Sequence, residues 1–564
     1  MKYHLISLGC QMNKSDGERI STVIEQMGYQ WTDHEEEANL LGILACSVRQ
    51  KSIDKVYSKI QKWNKSKDHR NLVTFISGCI LPKDKEQFLT LFDILFHINE
   101  LVEFPEMLRQ YGVVTPVNHT FRVSHLDSGR DRSTIEVIQQ KESESFGSKD
   151  VNMNKTVQNS IENTGERHKN RKDRLTDSME QGPEESPIHK SHKQEEEKTE
   201  RKSANAEEEV DKRLEDNTEK SKTVEKNAKQ TVDHAAQPYQ PSSIKRFWHI
   251  QPHYTSEFEA FIPIQNGCDK FCTFCAVPYT RGREVSRPST EIIDELKSLV
   301  EKDYKSITLL GQNVNSYGLD KNSREISFAQ LLEEIGKYGE QSGKNFWVYF
   351  TSPHPRDMED DIIDVMARYD CLAKQVHLPV QSGDNKVLMR MNRKHNIEKY
   401  RKIVHKIRNT MPEATLFTDI IVGFTGETGA EFENTRKIME EFKYNMAYIA
   451  KYSPRPGATS SRWADDVPHE TKKSRLEILT NELKKHSAAY NQRLVGTSIP
   501  VLVTGNNRKG GYLSGLTEGK INVRFPSRNL ALIGQFVHIK ITAASDLSIE
   551  GELETVKEEK GVVV

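Results

Sequence analysis

Gly267-Cys268-Asp269-Lys270-Phe271-Cys272-Thr273-Phe274-Cys275 places three thiols at C-x3-C-x2-C spacing, just after the short apolar run Phe261–Ile264. Thiolates are soft ligands that suit iron–sulfur ligation, and three on one tight loop can hold three corners of a cubic cluster. The fourth iron then lacks a protein ligand and is open to a small molecule that chelates through an amine and a carboxylate. The alternative is a zinc site or unrelated cysteines. Structural zinc usually takes four ligands in paired C-x2-C units, and the sequence holds no second pair.

Outward from this loop, residues from about Phe258 to Lys485 carry six strand–helix units. The strands are expected near Phe261–Ile264, Ser306–Leu310, Phe346–Phe350, Gln375–Leu378, Leu416–Val422 and Ala447–Tyr452, with amphipathic helices such as Thr290–Lys302 and Ile397–Asn409 between them. Six units predict an open, partial (βα)6 barrel. Each unusual loop follows a strand: the cysteine loop, Gly311-Gln-Asn-Val-Asn, Ser352-Pro-His-Pro, Pro379-Val-Gln-Ser-Gly, Gly423-Phe-Thr-Gly-Glu and Ser453-Pro-Arg-Pro-Gly. Barrels of this kind carry their active sites at the carboxyl ends of the strands.

Upstream, residues 1 to about 118 alternate apolar runs (Tyr3–Leu8, Leu40–Ala45, Leu72–Ser77, Asp93–Ile98) with helical stretches (Ser15–Met27, Val48–Trp63), which predicts an open parallel α/β sheet. Cys10, Cys46 and Cys79 each lie one or two residues past an expected strand, 36 and 33 residues apart. Strand carboxyl ends share one edge of such a sheet, so this placement gathers the three cysteines at one rim. A shared cluster is one reading and separate core thiols the other.

From about Asp127 to Ser243 the chain is dense in Lys, Glu, Asp, Asn, Ser and Gln, with Phe146 the only aromatic before Tyr239. It lacks the apolar surface to offset chain entropy and is expected to be a disordered insertion within a linker at 119–250. It reads as a solvated insertion or as a tether for RNA or a partner. Short alternating strands near Pro500–Val503, Lys520–Phe525 and Gln535–Ile541 predict a small β-barrel at 489–556, followed by a tail at 557–564. From Tyr490 to Ser545 there are seven Lys or Arg (Arg493, Arg508, Lys509, Lys520, Arg524, Arg528, Lys540) against one acid, Glu518. Such a surface could bind phosphates, or simply be solvated.

The whole chain is nearly neutral, with 81 basic and 82 acidic residues, so bulk charge points to no partner. Seven cysteines, in two sets of three plus Cys371, are not a secreted disulfide framework. No run approaches the roughly 20 apolar residues of a membrane helix. A cytoplasmic protein is expected.

With these residues in hand, the chain resembles the methylthiotransferases of the radical S-adenosylmethionine (SAM) superfamily. The resemblance rests on Gly9-Cys-Gln-Met-Asn, Ala45-Cys-Ser-Val-Arg, the run from Cys268 to Pro288, Leu310-Gly-Gln-Asn-Val-Asn-Ser-Tyr, Thr351-Ser-Pro-His-Pro, His377-Leu-Pro-Val-Gln-Ser-Gly and Ser453-Pro-Arg-Pro-Gly. It covers nearly everything except the insertion. The Gly311 and Ser352 loops are similar to the branch acting on isopentenylated tRNA, rather than to branches acting on threonylcarbamoyladenosine tRNA or a ribosomal protein. Thr425 stands where the family usually has proline, Ala458 where it commonly has threonine, and Leu44-Ala45 where Asn-Thr is usual.

The resemblance implies three parts: an N-terminal cysteine domain (1–118), a radical SAM core (251–488) and a C-terminal TRAM barrel that binds RNA. It implies two 4Fe–4S clusters, held by Cys268, Cys272 and Cys275 and by Cys10, Cys46 and Cys79. SAM would serve as radical source and methyl donor. The implied substrate is C2 of N6-isopentenyladenosine in the tRNA anticodon loop. An electron donor such as flavodoxin or ferredoxin and a monomeric state are expected with it.

Candidate SAM contacts are Gly311, Gln381, Asp419 and Gly423, where the glycines could instead simply make turns. Arg281 and Arg283 are candidates for SAM carboxylate or tRNA phosphate, with structural ion pairing as the alternative. Phe271 and Phe274 either shield the first cluster or only pack. His354 and His377 are acid–base candidates or structural hydrogen-bonding groups. Cys371 reads as a core thiol. A non-catalytic RNA-binding protein with one structural metal remains the alternative class.

Overall fold

The computed structural model describes residues 1–47, 50–67, 69–111, 241–321 and 324–554. Most of the charged insertion and the tail at 557–564 lie outside the described residues.

The N-terminal sheet is parallel throughout. Its strands are β1 (Lys2–Ser7), β2 (Gln30–Trp31), β3 (Leu40–Cys46), β4 (Val73–Cys79) and β5 (Ile94–Leu95), in the order β2-β1-β3-β4-β5. Every residue of β3 is buried, as a near-continuous apolar run in a central parallel strand demands. Gly42 makes the packing possible: a Cβ there would meet the Phe75 ring of β4 at 2.1 Å. The helix expected at Ser15–Met27 begins earlier, at Gln11, because Cys10 caps it in an extended conformation. The helix expected from Val48 runs Gln50–Lys67. The expected strand Asp93–Ile98 shrinks to two residues, since Ile98 already opens a 3-10 turn capped by His97.

The helix Pro241–Trp248 falls inside the expected 119–250 linker. It nonetheless belongs to the N-terminal domain, because Ile244, Phe247 and Trp248 are buried in that domain's core beside Ile98 and Phe104. Three large apolar side chains in eight residues end the insertion earlier than charge density suggests.

The central domain has six parallel strands in sequence order. Strands β6 (Glu259–Pro263), β9 (Ser306–Leu310) and β10 (Trp347–Phe350) form one sheet, after the short ribbon β7 (Gln265–Asn266) with β8 (Val285–Ser286). Strands β11 (Gln375–His377), β12 (Thr415–Val422) and β13 (Met446–Lys451) form the other, and a bridge between Val348 and Leu372 joins the two. This is the open (βα)6 barrel the sequence predicts. Its interior and helical layer form one apolar core running from Ala260 to Leu483.

The C-terminal domain is a closed barrel of β14 (Ser498–Asn506), β15 (Tyr512–Thr517), β16 (Asn522–Pro526), β17 (Phe536–Ala544) and β18 (Ser548–Leu553). It is fastened to the amino-terminal ends of β10–β12. Trp347 meets Phe536 edge-on at 4.5 Å, and the Tyr349 hydroxyl donates to the Glu518 carbonyl at 3.0 Å. The Lys374 amide donates to the Glu518 carboxylate at 2.8 Å, and the Thr415 hydroxyl to the Gly519 carbonyl at 2.9 Å.

Candidate active site

The loop triad is built by local hydrogen bonding. Gly267 has φ +82°, and a Cβ there would strike the Arg283 carbonyl oxygen at 2.0 Å, so the chain passes closely under the loop it is about to form. The Gly267 amide donates to the Gln312 side chain, the Cys268 amide to the Gly282 carbonyl, and the Cys275 amide to the Cys272 carbonyl. From across the barrel the Asn392 side chain holds the Phe271 carbonyl at 2.9 Å, and Arg393 donates to Cys272 Sγ at 3.4 Å. The three cysteines border a cavity of about 170 Å³ at the carboxyl ends of the strands.

Burial pushes the Cys268 thiol up to about 11 and the Cys275 thiol up to about 12, with neighbouring cysteines adding to it. Such thiols ionise once an electropositive group sits among them, which is what a thiolate-ligated metal cluster supplies. Among the described residues no group of three or more His, Cys, Asp or Glu has single-ion spacing. Three thiols around an open cavity are the donor set that a cluster with one iron open to a small molecule takes, whereas structural zinc usually takes four ligands.

The second triad gathers separate strands. Cys46 and Cys79 end β3 and β4 and are register partners, rather than lying beyond the strands as expected. Cys10 lies three residues past β1, at the head of the Gln11–Gln26 helix, and is exposed. Gly9, at φ +120°, lets β1 turn toward its neighbours, and a Cβ there would lie 2.7 Å from Cys46 Cβ. The Asn13 side chain staples the turn by donating to the Leu8 and Ala45 carbonyls at 2.6 and 2.8 Å. Burial raises the Cys79 thiol to about 11; Arg281 opposes the rise, and Cys10 and Cys46 add to it. The strand ends thus place Cys46 and Cys79 side by side, with Cys10 at the head of the neighbouring helix.

Of the candidate SAM contacts, Gln381 and Asp419 line the cavity. Gln381 has φ +70°, an unusual backbone for a side chain to adopt. Gly311 and Gly423 are not among the lining residues. Gly311 packs against Val314 and Gln265, and Gly423, at φ +69°, backs onto Lys472 and donates its amide to Glu427. Of the two, only Gly423 has the left-handed backbone that a tight turn favours.

For Arg281 the structure favours the ion-pair alternative: it is 2% exposed and pairs with Asp16 at 2.6 Å. Arg283 is exposed, pairs with Asp269 at 3.1 Å and lies 5.3 Å over the Phe271 ring. Phe274 lines the cavity and meets Phe424 edge-on. His354 lines it too. Burial, then Arg393 and His395, push its imidazole well below the usual range, so it stays neutral with Nε2 unpartnered. His377 Nε2 lies 3.4 Å from Asp419. Cys371 lies outside both triads, half-buried against Gly339.

Sequence reading missed Lys270 and Arg393 on the cavity wall. Lys270 carries a local signal, as a cation inside the cysteine loop, and pairs with Asp357 at 2.7 Å. Arg393 carries none, because the fold alone brings it to Cys272. On the C-terminal barrel the seven cations do not share one face. Lys520 is turned inward, 4.1 Å from the Tyr349 ring, and Arg524 pairs with Glu550, whereas Arg493, Arg508, Lys509, Arg528 and Lys540 are exposed.

Comparison with known proteins agrees with this architecture. Residues 2–97 match the uncharacterized protein family UPF0004, 262–439 the Radical SAM superfamily and 492–553 the TRAM domain. Two relatives named tRNA-2-methylthio-N(6)-dimethylallyladenosine synthase, from Escherichia coli O139:H28 (strain E24377A / ETEC) and Salmonella enteritidis PT4 (strain P125109), are 30% identical over 100% of this chain and 94% of their own length. Among solved structures, the cobalamin-dependent S-adenosylmethionine radical enzyme OxsB is 10% identical with a TM-score of 0.41, over 85% of this chain and 56% of its own. The radical S-adenosylmethionine methyltransferase TsrM from Kitasatospora setae is 15% identical with a TM-score of 0.30, over 46% and 43%. Radical SAM membership brings SAM and a 4Fe–4S cluster as cofactors. The chain belongs to the tRNA-2-methylthio-N(6)-dimethylallyladenosine synthase family of radical SAM methylthiotransferases.

Proposed function

We propose that this protein converts N6-isopentenyladenosine at position 37 of tRNA, next to the anticodon, to its 2-methylthio derivative, with two 4Fe–4S clusters and SAM as both radical source and methyl donor. The observation that carries the proposal is the presence of two separate cysteine triads in one compact unit, one bordering a cavity at the barrel's strand ends. RNA binding alone needs neither.

A SAM-chelating 4Fe–4S cluster supplies, when bound, the one-electron cleavage that yields a 5′-deoxyadenosyl radical able to abstract an unactivated hydrogen. Cys268, Cys272 and Cys275 would hold it, and Arg393 donates to Cys272 Sγ from the cavity wall. Gln381 and Asp419 offer polar groups to the SAM ribose and amine. Neutral His354 presents an unpartnered Nε2 to the same wall. Phe274 and Phe424 keep water from one flank. Cys10, Cys46 and Cys79 would hold the second cluster, whose chemistry when bound would be to carry or supply the sulfur. Residues 1–118, 251–488 and 489–556 are the three working units, and the exposed cations of the last grip tRNA phosphates. A small electron-transfer protein such as flavodoxin or ferredoxin, a monomeric state and a cytoplasmic location complete the proposal. Among the described residues no helix is long and apolar enough to cross a membrane.

Nucleosides from isopentenylated tRNA, incubated with anaerobically reconstituted protein, SAM and a reductant, test it by mass spectrometry. A methylthio group on isopentenyladenosine is the expected product. Formation of 5′-deoxyadenosine with that nucleoside unmodified would move the substrate to threonylcarbamoyl-tRNA or a ribosomal protein.

A further inference from the structure

We propose that Arg281 is a positioning residue that sets the reduction potential of the cluster held by Cys10, Cys46 and Cys79 and locks that triad to the cysteine loop of the barrel. The inference rests on the ligand assignment above. Arg281 ends the short helix Val277–Arg281, six residues after Cys275. Its Nε donates to Cys79 Sγ at 3.0 Å. Nη2 donates to Asp16 at 2.6 Å and to Asn13 at 2.9 Å, and Nη1 reaches Asn266 at 3.4 Å. All three guanidinium nitrogens are thus engaged, in a side chain 2% exposed.

Asn13 and Asp16 sit on the helix that Cys10 caps, so one arginine ties the Cys79 thiol to the Cys10 helix. The strap is anchored from both domains: the Asn266 side chain donates to the Arg281 carbonyl at 3.0 Å, and His97 Nε2 lies 3.0 Å from the Thr280 carbonyl.

Hydrogen bonds to ligand sulfur and nearby positive charge stabilise the more negative, reduced state of a cluster, and so raise its potential. Arg281 contributes both, and Asp16 opposes them from the far side of the guanidinium. The two residues therefore push the potential in opposite directions, so removing either charge shifts the midpoint with opposite sign.

The test uses full-length protein carrying Cys268→Ala, Cys272→Ala and Cys275→Ala, so that only the N-terminal triad can load, about four irons per chain. Redox titration followed by electron paramagnetic resonance reads the cluster directly, without turnover. Arg281→Gln shifts the midpoint to more negative potential, Asp16→Asn shifts it to more positive potential, and the exposed Arg283→Gln leaves it in place. If Arg281→Gln fails to hold iron, Arg281→Lys carries the test, with a smaller shift of the same sign. A loaded parent whose midpoint ignores both Arg281 and Asp16 substitutions overturns this inference alone. A parent that binds no iron overturns the ligand assignment and the inference with it.

Discussion

The two cysteine triads are built by opposite routes. The barrel triad is written within eight residues and folds as one loop, stitched by its own amides and by Gln312, Asn392 and Arg393. The N-terminal triad is assembled from three strands, and its thiols meet only when β1, β3 and β4 are in register. The first site depends on a local turn. The second depends on a whole sheet, so its capacity to load is coupled to the stability of a domain.

The sharpest way to break this contrast is to remove one ligand from each triad. Cys272→Ala is expected to reduce 5′-deoxyadenosine and methylthio product alike to background. Cys46→Ala should keep 5′-deoxyadenosine formation while abolishing methylthio product. Quantifying both products in one quenched reaction distinguishes the two, and parallel loss in both variants would end the division of labour.

A second test perturbs the sheet without touching a ligand. In Gly42→Val the new Cβ meets the Phe75 ring at 2.1 Å. Overpacking of this kind costs about 3 kcal/mol. The thermal midpoint should fall, and iron should be lost from the N-terminal triad while the loop triad keeps its own. Uniform loss of iron would mean that the two sites share one folding unit.

How much of this was legible depends on distance along the chain. The loop triad and the barrel were readable because C-x3-C-x2-C and the strand–helix period are local patterns. The N-terminal triad was readable only through topology, since parallel strands bring their ends to one edge. The partners of Arg281 were not legible, because Asp16 and Cys79 lie more than 200 residues away and no local spacing encodes them. Gly311 and Gly423 carry two readings for another reason. A glycine past a strand end serves a turn and a ligand equally well, so its place in the chain assigns it neither role. Lys520 was counted as surface charge although the fold turns it inward.

Lys520 supplies a third test, of the joint between barrel and core. Burial lowers its pKa from 10.5 to about 8. Folding therefore carries the full penalty below about pH 8, and stability should rise as pH climbs from 8 towards 10.5. The shift sets a ceiling of about 3 kcal/mol, reduced to about 1–2 kcal/mol because part of the side chain meets water. Lys520→Met should flatten that rise in urea titrations and stabilise the protein at pH 7. An unchanged slope would mean the ammonium stays hydrated.

The smallest effect is expected on the exposed cations. Arg508→Ala should weaken tRNA binding only a few-fold and reduce the salt slope by about 1. Iron content and SAM cleavage without tRNA should not change. A change in either would place this residue closer to the triads than the fold does.

The fastening of the C-terminal barrel through Glu518, Gly519, Tyr349 and Trp347 has a thermodynamic consequence for recognition. A module on a flexible tether surrenders orientational freedom each time it engages a ligand. Here that freedom is already given up during folding, so RNA contacts need not repay it. The mount sits at the amino-terminal ends of the strands, and the cysteine loop sits at their carboxyl ends. The joint and the cysteine loop are thus fixed at opposite ends of the barrel's strands.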